Sequence, residues 1–179
     1  MKIERVFLIG FMGSGKSTVG QLLAKETGWQ FLDLDHYIET RHNKTIAQIF
    51  STYGEQKFRE KENEALKEIV QLKKVIVASG GGTPCYFNNM DIMNKTGLTI
   101  YLQLSPEELT KRLLPARAAR PLIADKSDAE LLTFIKEKLA EREFFYQKAH
   151  ATADATAIGA STYLHIMNLF NDQIPEKES

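Results

Sequence analysis

Nine residues near the beginning of the chain, GFMGSGKST at 10–18, combine glycines, a lysine and three hydroxyls at a spacing that can bind a phosphate chain. They match the pattern Gly-x-x-x-x-Gly-Lys-Ser in full, after a short apolar segment and before a helical pattern. In such a loop glycines let backbone N–H groups approach phosphates, lysine reaches the β- and γ-phosphates, and the serine hydroxyl binds Mg²⁺. The alternative is an ordinary glycine turn, which the intact pattern disfavours. The predicted nucleotide contacts are Gly13, Ser14, Gly15, Lys16, Ser17 and Thr18.

A phosphate-binding loop occurs in molecular switches, motors and kinases, and other segments of the chain discriminate among these classes. GTPase switches read guanine with an Asn-Lys-x-Asp segment, but NKTI at 43–46 and NKTG at 94–97 lack the aspartate. With 179 residues the chain is also short for an ATP-driven motor. A small-molecule kinase is the leading interpretation. A nucleotide-dependent binding module with little turnover is the alternative from a different class.

Two aspartates lie at the end of the second predicted strand, in FLDLD at 31–35. Strand alternation places Asp33 and Asp35 on one side of the strand end. Ligands of open α/β sheets bind beyond the carboxyl ends of the strands, so these carboxylates could serve Mg²⁺ and a substrate hydroxyl. A polar strand end that merely carries two aspartates is an equal alternative on the residues alone.

Charged residues also extend two apolar helical stripes. The first stripe steps by three, four and three residues through Arg59, Glu62, Leu66 and Ile69. An amphipathic boundary with both charged heads in water is the favoured interpretation, and the alternative has Glu62 orienting Arg59 towards an anion. The second stripe ends at Arg142, which would suit a bidentate substrate carboxylate. A solvated stripe end or a structural ion pair explains Arg142 equally well.

The elements that must position these side chains follow an alternating pattern of strands and helices. Helix start signals occur at 45–48, 105–108 and 127–130, the last opening a helix to about His150, and Gly28 ends the first helix. This alternation predicts an α/β fold with a parallel sheet. A closing core helix is expected at 161–170. The predicted strands are 5–10, 29–35, 74–79, 98–104 and, more weakly, 151–156.

The composition bears on the partners and the cellular compartment that can be expected for this chain. The 23 Lys+Arg balance the 23 Asp+Glu, so no net charge attracts the chain to nucleic acid or to an anionic membrane. Cys85 is the single cysteine, and the first residues lack the features of a signal peptide, so a cytoplasmic monomer is expected. No stretch is long and apolar enough to span a membrane. The four histidines show no zinc-ligand spacing.

Six segments, each ambiguous alone, together resemble the shikimate kinases. In chain order they are GFMGSGKST, FLDLD, FREKE, SGGGTP, RPLI and EREFFY, and the resemblance covers about residues 3–165. Adenylate and gluconate kinases share the phosphate-binding loop but not this series. The resemblance implies an α/β, P-loop nucleoside-monophosphate-kinase-like fold, in which helices flank a five-stranded parallel sheet that carries a mobile lid.

The resemblance also implies transfer of the ATP γ-phosphoryl group to the 3-hydroxyl of shikimate, in aromatic amino-acid biosynthesis. Asp35 resembles the residue on the substrate hydroxyls and is the candidate base, and Asp33 resembles the residue that helps Ser17 hold Mg²⁺. Lys16 and Arg120 of RPLI resemble the cations that stabilise the transferred phosphoryl group. The positions that resemble shikimate-binding residues are Arg59, Gly81 and Arg142, beside Asp35. The helical stripe adds Glu62 as the residue that would support Arg59.

Residues 1–179 are thus predicted to form one P-loop kinase domain, with a lid at about 112–126 and a substrate-binding helical region at about 36–62. Arg120 could reach phosphates when the lid closes, and the alanine-rich lid leaves the role of Arg117 open. The segment at 154–161 lacks the arginine and proline with which the family often contacts adenine, so no contact is assigned there. A kinase of another small hydroxy acid, such as gluconate, is the alternative within the kinases.

Overall fold

The computed structural model describes residues 3–119, 122–156 and 166–169. At its centre lies a sheet of five parallel strands in the spatial order β2-β3-β1-β4-β5. The predicted α/β fold with a five-stranded parallel sheet is confirmed, including the fifth strand, which the sequence indicates only weakly. The strands are β1 Arg5–Ile9, β2 Gln30–Asp33, β3 Val75–Ala78, β4 Leu98–Gln103 and β5 Ala151–Asp154.

Helices flank the sheet and begin where the sequence supplies capping residues. Thr45 and Ser127 both form reciprocal capping boxes, and Gly28 ends the first helix in a left-handed conformation with φ of 69°. None of the helices described in these residues is long and apolar enough to cross a membrane. The helices are α1 Lys16–Thr27, α2 Leu34–His42, α3 Ile46–Ile69, α4 Asn89–Thr96, α5 Pro106–Leu113 and α6 Asp128–Tyr146. Two short 3-10 helices cover Thr83–Cys85 and Leu114–Ala119.

Some element ends differ from the sequence prediction. Strand β2 stops at Asp33, because the Asp33 carboxylate accepts hydrogen bonds from the N–H groups of Asp35 and His36 and so caps α2. Helix α6 ends at Tyr146 instead of about His150. These changes matter most for Asp35, which belongs to a helix and not to a strand end.

The three central strands β3, β1 and β4 are buried on both faces, as their apolar sequences predict. In β1, Val6 and Leu8 pack into one core cluster, with residues of α1, α5 and α6, while Phe7 and Ile9 pack into the other, with residues of α2, α3 and α4. This alternation follows from the two-residue period of a strand. Both helical layers are therefore held against a single rigid sheet, at whose carboxyl edge the polar residues gather.

The predicted lid differs from the patternless loop that its sequence indicates. Residues 114–119 form a 3-10 helix, and Ile123 is fully buried in the core cluster beneath α1, α5 and α6. The segment 115–126 shows no apolar period in the sequence, and it nevertheless contributes Ile123 to the core. One isolated apolar residue carries no periodicity, so the sequence alone did not reveal its burial. Of the closing helix predicted at 161–170, only 166–169 are described, and they are helical.

Candidate active site

The phosphate-binding loop joins β1 to α1 and is shaped by glycines in conformations that other residues rarely adopt. Gly10, Gly13 and Gly15 have φ angles of 142°, 82° and 91°. The Nζ of Lys16 donates hydrogen bonds to the carbonyl oxygens of Gly10 and Phe11, both at 2.9 Å. The loop thus holds the ammonium group over its own backbone, at the N-terminus of α1, where the helix dipole also favours an anion.

A cavity of about 430 Å³ opens beside this loop. All the nucleotide contacts predicted within the loop line the cavity, apart from Ser14, whose side chain is fully buried and whose N–H donates to the Phe11 carbonyl oxygen at 3.2 Å. The cavity also reaches Asp33, Asp35 and Gly81. The structure therefore places the phosphate-binding loop, both aspartates and the middle glycine of the SGGGTP segment around one space.

Two oxygen ligands suited to Mg²⁺ lie together at the edge of this cavity. The Ser17 hydroxyl donates a hydrogen bond to Oδ2 of Asp33 at 2.9 Å, and the Oδ1 atom of Asp33 caps α2. Mg²⁺ usually takes only one or two oxygens from a protein and the rest from phosphates and water, so this pair fits the ion. Within the described residues no group of three or more His, Cys, Asp or Glu could hold a metal.

Asp35 lies in the first turn of α2 and faces the same cavity. Burial, together with the nearby carboxylates of Glu62 and Asp33, raises its pKa from 3.8 to about 6, although Lys16 opposes this shift. A Cβ atom added to Gly80 would lie 2.9 Å from Oδ1 of Asp35, so the glycine backbone encloses the carboxyl group closely. A carboxylate with a pKa near neutrality beside a phosphate site can accept a proton at physiological pH.

Arg59 and Glu62 form a buried ion pair on α3. Nη1 of Arg59 donates to Oε2 of Glu62 at 3.0 Å, and their side chains are only 11% and 1% exposed. The favoured interpretation, an amphipathic boundary with both charged heads in water, is therefore wrong. Helical spacing correctly identifies the shared stripe, but the neighbouring 3-10 helix at Thr83–Cys85 covers it, and the Thr83 hydroxyl donates to Oε1 of Glu62 at 2.5 Å.

Two further residues surround the Arg59 guanidinium and were not identified from the sequence. The Tyr86 ring centre lies 4.1 Å from Cζ of Arg59, within cation–π range. Oε1 of Glu55 accepts from Nη2 of Arg59 at 3.1 Å and from the Tyr86 hydroxyl at 2.9 Å. The spacing of four between Glu55 and Arg59 was the only available signal, because nothing local relates Tyr86 to α3.

Arg142 projects from α6 to the glycine segment after β3. A Cβ added to Gly81 would lie 3.3 Å from Nη1 of Arg142, and one added to Gly82 would lie 2.7 Å from Nη1 of Arg59. The two guanidinium groups therefore fill the space that side chains at these adjacent glycines would need. The Cζ atom of Arg142 also lies 5.4 Å from the centre of the Phe11 ring. Among the described residues, no carboxylate forms a salt bridge with Arg142.

Of the lid arginines Arg117 and Arg120, the structure describes the contacts of Arg117 only. Nη1 of Arg117 donates to the Lys126 carbonyl oxygen at 2.8 Å and pairs with Oδ1 of Asp128 at 2.7 Å, so Arg117 ties the end of the lid to the start of α6. Arg120 lies outside the described residues. The predicted adenine segment at 154–161 is described only as far as residue 156. The predicted roles of Arg120 and of this segment stay predictions.

Comparison with known proteins finds relatives that match most of the chain. A family model for shikimate kinase matches residues 12–169. A shikimate kinase of Parabacteroides distasonis is 47% identical over 163 residues, which cover 91% of this chain and 94% of that protein. A shikimate kinase of Phocaeicola vulgatus is 49% identical over 147 residues, or 82% of this chain and 84% of its own length.

Solved structures show the same relationship in three dimensions. The crystal structure of a shikimate kinase from Bacteroides thetaiotaomicron has a TM-score of 0.89 and 38% identity, covering 93% of this chain and 97% of that one. A shikimate kinase from Acinetobacter baumannii in complex with shikimate has a TM-score of 0.83 and 30% identity, covering 97% and 96% of the two chains. A deoxyadenosine kinase from M. mycoides, 16% identical with a TM-score of 0.59 over 93% and 99% of the two chains, shares the fold alone.

Proposed function

Because this chain belongs to the shikimate kinase family, we propose that it transfers the γ-phosphoryl group of ATP to the 3-hydroxyl of shikimate, giving shikimate 3-phosphate and ADP. The observation that supports this most strongly is the position of the two arginines. The guanidinium groups of Arg59 and Arg142 occupy the space beside Gly82 and Gly81 where side chains would begin, next to the phosphate-binding loop. Two cations at this place suit a small acid that carries a carboxylate on one side and a hydroxyl on the other.

At the nucleotide end, the loop from Gly13 to Thr18 binds the phosphates through backbone N–H groups and the positive end of α1. Lys16 binds the β- and γ-phosphates and neutralises charge on the group in transfer. The Ser17 hydroxyl and the Asp33 carboxylate, already 2.9 Å apart, would hold Mg²⁺. When bound, the ion neutralises phosphate charge. Arg120 from the lid adds a further cation on closure, so that the catalytic residues are Lys16, Asp35 and Arg120.

At the acceptor end, Arg59, Arg142 and the backbone at Gly81 bind the shikimate carboxylate. This contact fixes one side of the ring and aims the 3-hydroxyl towards the γ-phosphate. Asp35 contacts the hydroxyl, orients it and accepts its proton as the new O–P bond forms. Its pKa of about 6 leaves the carboxyl group ionised at neutral pH yet basic enough for this role.

A coupled assay of ADP release, with Mg²⁺ present, tests this proposal directly. Shikimate should stimulate ADP release, whereas gluconate should not, because gluconate lacks the rigid ring that carries both the carboxylate and the aimed hydroxyl. Equal stimulation by both acids would contradict the assignment of shikimate as the substrate. If neither acid changed the rate of ADP release, the alternative of a nucleotide-dependent binding module with little turnover would be favoured.

We also extend the proposal to the setting of the enzyme, as a cytoplasmic monomer whose partners are small molecules and neither nucleic acid nor membrane. The balanced charge of 23 Lys+Arg and 23 Asp+Glu supports the expectation that neither nucleic acid nor an anionic membrane is a partner. Size-exclusion chromatography with light scattering is expected to give the mass of one chain, 20.3 kDa. A mass of two chains would contradict the monomer.

A further inference from the structure

The turn that follows the triple glycine makes a buried contact that the reaction proposed above does not use. Thr83 is fully buried, at the start of the 3-10 helix Thr83–Cys85. Its hydroxyl donates to Oε1 of Glu62 at 2.5 Å, while Oε2 of Glu62 accepts from Nη1 of Arg59 at 3.0 Å. Each carboxylate oxygen of Glu62 is thus held by a donor from a different element, and the carboxylate has a single orientation.

Thr83 is itself held by a chain of buried amides. Nδ2 of Asn89 donates to the Thr83 carbonyl oxygen at 2.9 Å, and Nδ2 of Asn63 donates to Oδ1 of Asn89 at 2.6 Å. Asn89 is 0% exposed and Asn63 is 7% exposed. Buried polar groups that satisfy one another in this way specify one arrangement, because leaving any member unpaired costs free energy. The network runs from Asn63 on α3, through Asn89 on α4, to Thr83.

We propose that Thr83 is a positioning residue of this kinase, which orients Arg59 through Glu62 for the substrate carboxylate, with Asn89 and Asn63 holding Thr83 in place. This inference rests on the proposed function, because it assumes that Arg59 binds a carboxylate. Thr83 touches neither the substrate nor the phosphates in this scheme. It acts only on the direction of the Arg59 guanidinium.

The crowding around Gly80 explains why a hydroxyl is needed at this position. A Cβ added to Gly80 would lie 2.9 Å from each of three oxygens, namely Oδ1 of Asp35, Oε1 of Glu62 and Oγ1 of Thr83. Two carboxylates therefore approach the same small space, and the Glu62 charge already raises the pKa of Asp35. The Thr83 hydrogen bond keeps Oε1 of Glu62 directed at a donor. Without that bond, Oε1 of Glu62 has lost its donor and the carboxylate is free to rotate. The direction in which Oε2 holds Nη1 of Arg59 would then change.

The test compares Thr83→Val, which removes the hydroxyl and keeps the branched shape, with Thr83→Ser, which keeps the hydroxyl. Thr83→Val should raise the KM for shikimate by about 10-fold and leave the KM for ATP within about 2-fold of the parent value. Thr83→Ser should stay within about 3-fold of the parent for both substrates. If Thr83→Val does not fold, Thr83→Cys, with a weaker donor of similar size, should give an intermediate rise in the shikimate KM.

Thr99→Val is the matched control. Thr99 is also 0% exposed, and its hydroxyl donates to Oδ1 of Asn94 at 2.6 Å, but it lies near the start of β4, away from the carboxyl edge of the sheet. The same substitution there should lower the melting temperature without changing either KM. A rise of the shikimate KM in Thr99→Val equal to that in Thr83→Val would overturn the inference, since it would make the effect one of general stability.

An analogue in which the shikimate carboxylate is converted to an amide gives a second, sharper readout. The parent should use the amide with a much lower kcat/KM than shikimate, and Thr83→Val should cause no further loss, because the contact through which Thr83 acts is already gone. If Thr83→Val lowered kcat/KM by the same factor with shikimate and with the amide, the inference would be overturned. A parent enzyme that does not phosphorylate shikimate would instead refute the proposed function, so the two failures are distinguishable.

Discussion

Replacing Asp35 with asparagine is expected to stabilise the folded protein while it removes most of the activity. In the folded protein, burial and the carboxylates of Glu62 and Asp33 raise the pKa of Asp35 from 3.8 to about 6. When the pH exceeds this raised pKa, Asp35 is ionised in the folded protein, and burying that charge lowers the free energy of unfolding. The amide has nearly the same shape and no charge, so the substitution removes that cost. It also removes the proton acceptor.

The size of the effect follows from the change in pKa. Raising the pKa of Asp35 from 3.8 to about 6 corresponds to a loss of roughly 3 kcal/mol of stability, at 1.36 kcal/mol per pH unit. This figure is an upper value for the gain in Asp35→Asn, because the amide must also be desolvated. The folded protein binds the proton more tightly than the unfolded chain does. Asp35 therefore lowers the stability progressively as the pH rises from 3.8 to about 6, and by the full amount above that.

Urea unfolding at two pH values measures this difference. The free energies of unfolding of the parent and of Asp35→Asn should be similar near pH 4 and should differ by up to about 3 kcal/mol near pH 7.5, with the variant more stable. Asp125→Asn, at an exposed position, is the control and should show no such pH-dependent gain. In the same samples, kcat of Asp35→Asn should fall by about 10²–10⁴-fold. An Asp35→Asn variant that is less stable than the parent near pH 7.5 would refute the argument.

Three other measurements test the remaining roles. Glu62→Gln should raise the shikimate KM by about 10-fold, roughly 1.4 kcal/mol, and leave the ATP KM nearly unchanged. The control Glu64→Gln, at an exposed position on the same helix, should change neither KM. Equal rises of both KM values in Glu62→Gln would show that Glu62 supports the whole fold. Arg120→Ala should lower kcat by about 10²–10³-fold, and a kcat within about 3-fold of the parent would exclude a transition-state role. The pH profile of kcat/KM should fall below about pH 6 as Asp35 becomes protonated, and a flat profile from about pH 5 to 8 would contradict its role as the base.

Features that depend on neighbours a few residues away along the chain could be predicted from the sequence. The phosphate-binding loop at 10–18 needs glycines at φ angles that other residues avoid, so its pattern is visible without a structure. Thr45 and Ser127 cap their helices through residues three positions away, and Gly28 supplies its own left-handed turn. The strands β1, β3 and β4 could be predicted because strands buried on both faces are short and apolar. Each of these signals lies within a few residues.

What covers each face of a helix depends on residues far apart in the chain, so it required the folded protein. Helical spacing places Arg59 and Glu62 on one stripe, but the stripe is buried because a 3-10 helix more than twenty residues further along the chain packs on it through Thr83. Likewise, Asp35 leaves the strand pattern because Asp33 caps a helix. Burial and charge at such positions depend on residues distant in sequence, and a periodic pattern shows which residues share a face but not what faces them. The pKa of Asp35 and the hydrogen bonds of Thr83 therefore required the folded chain.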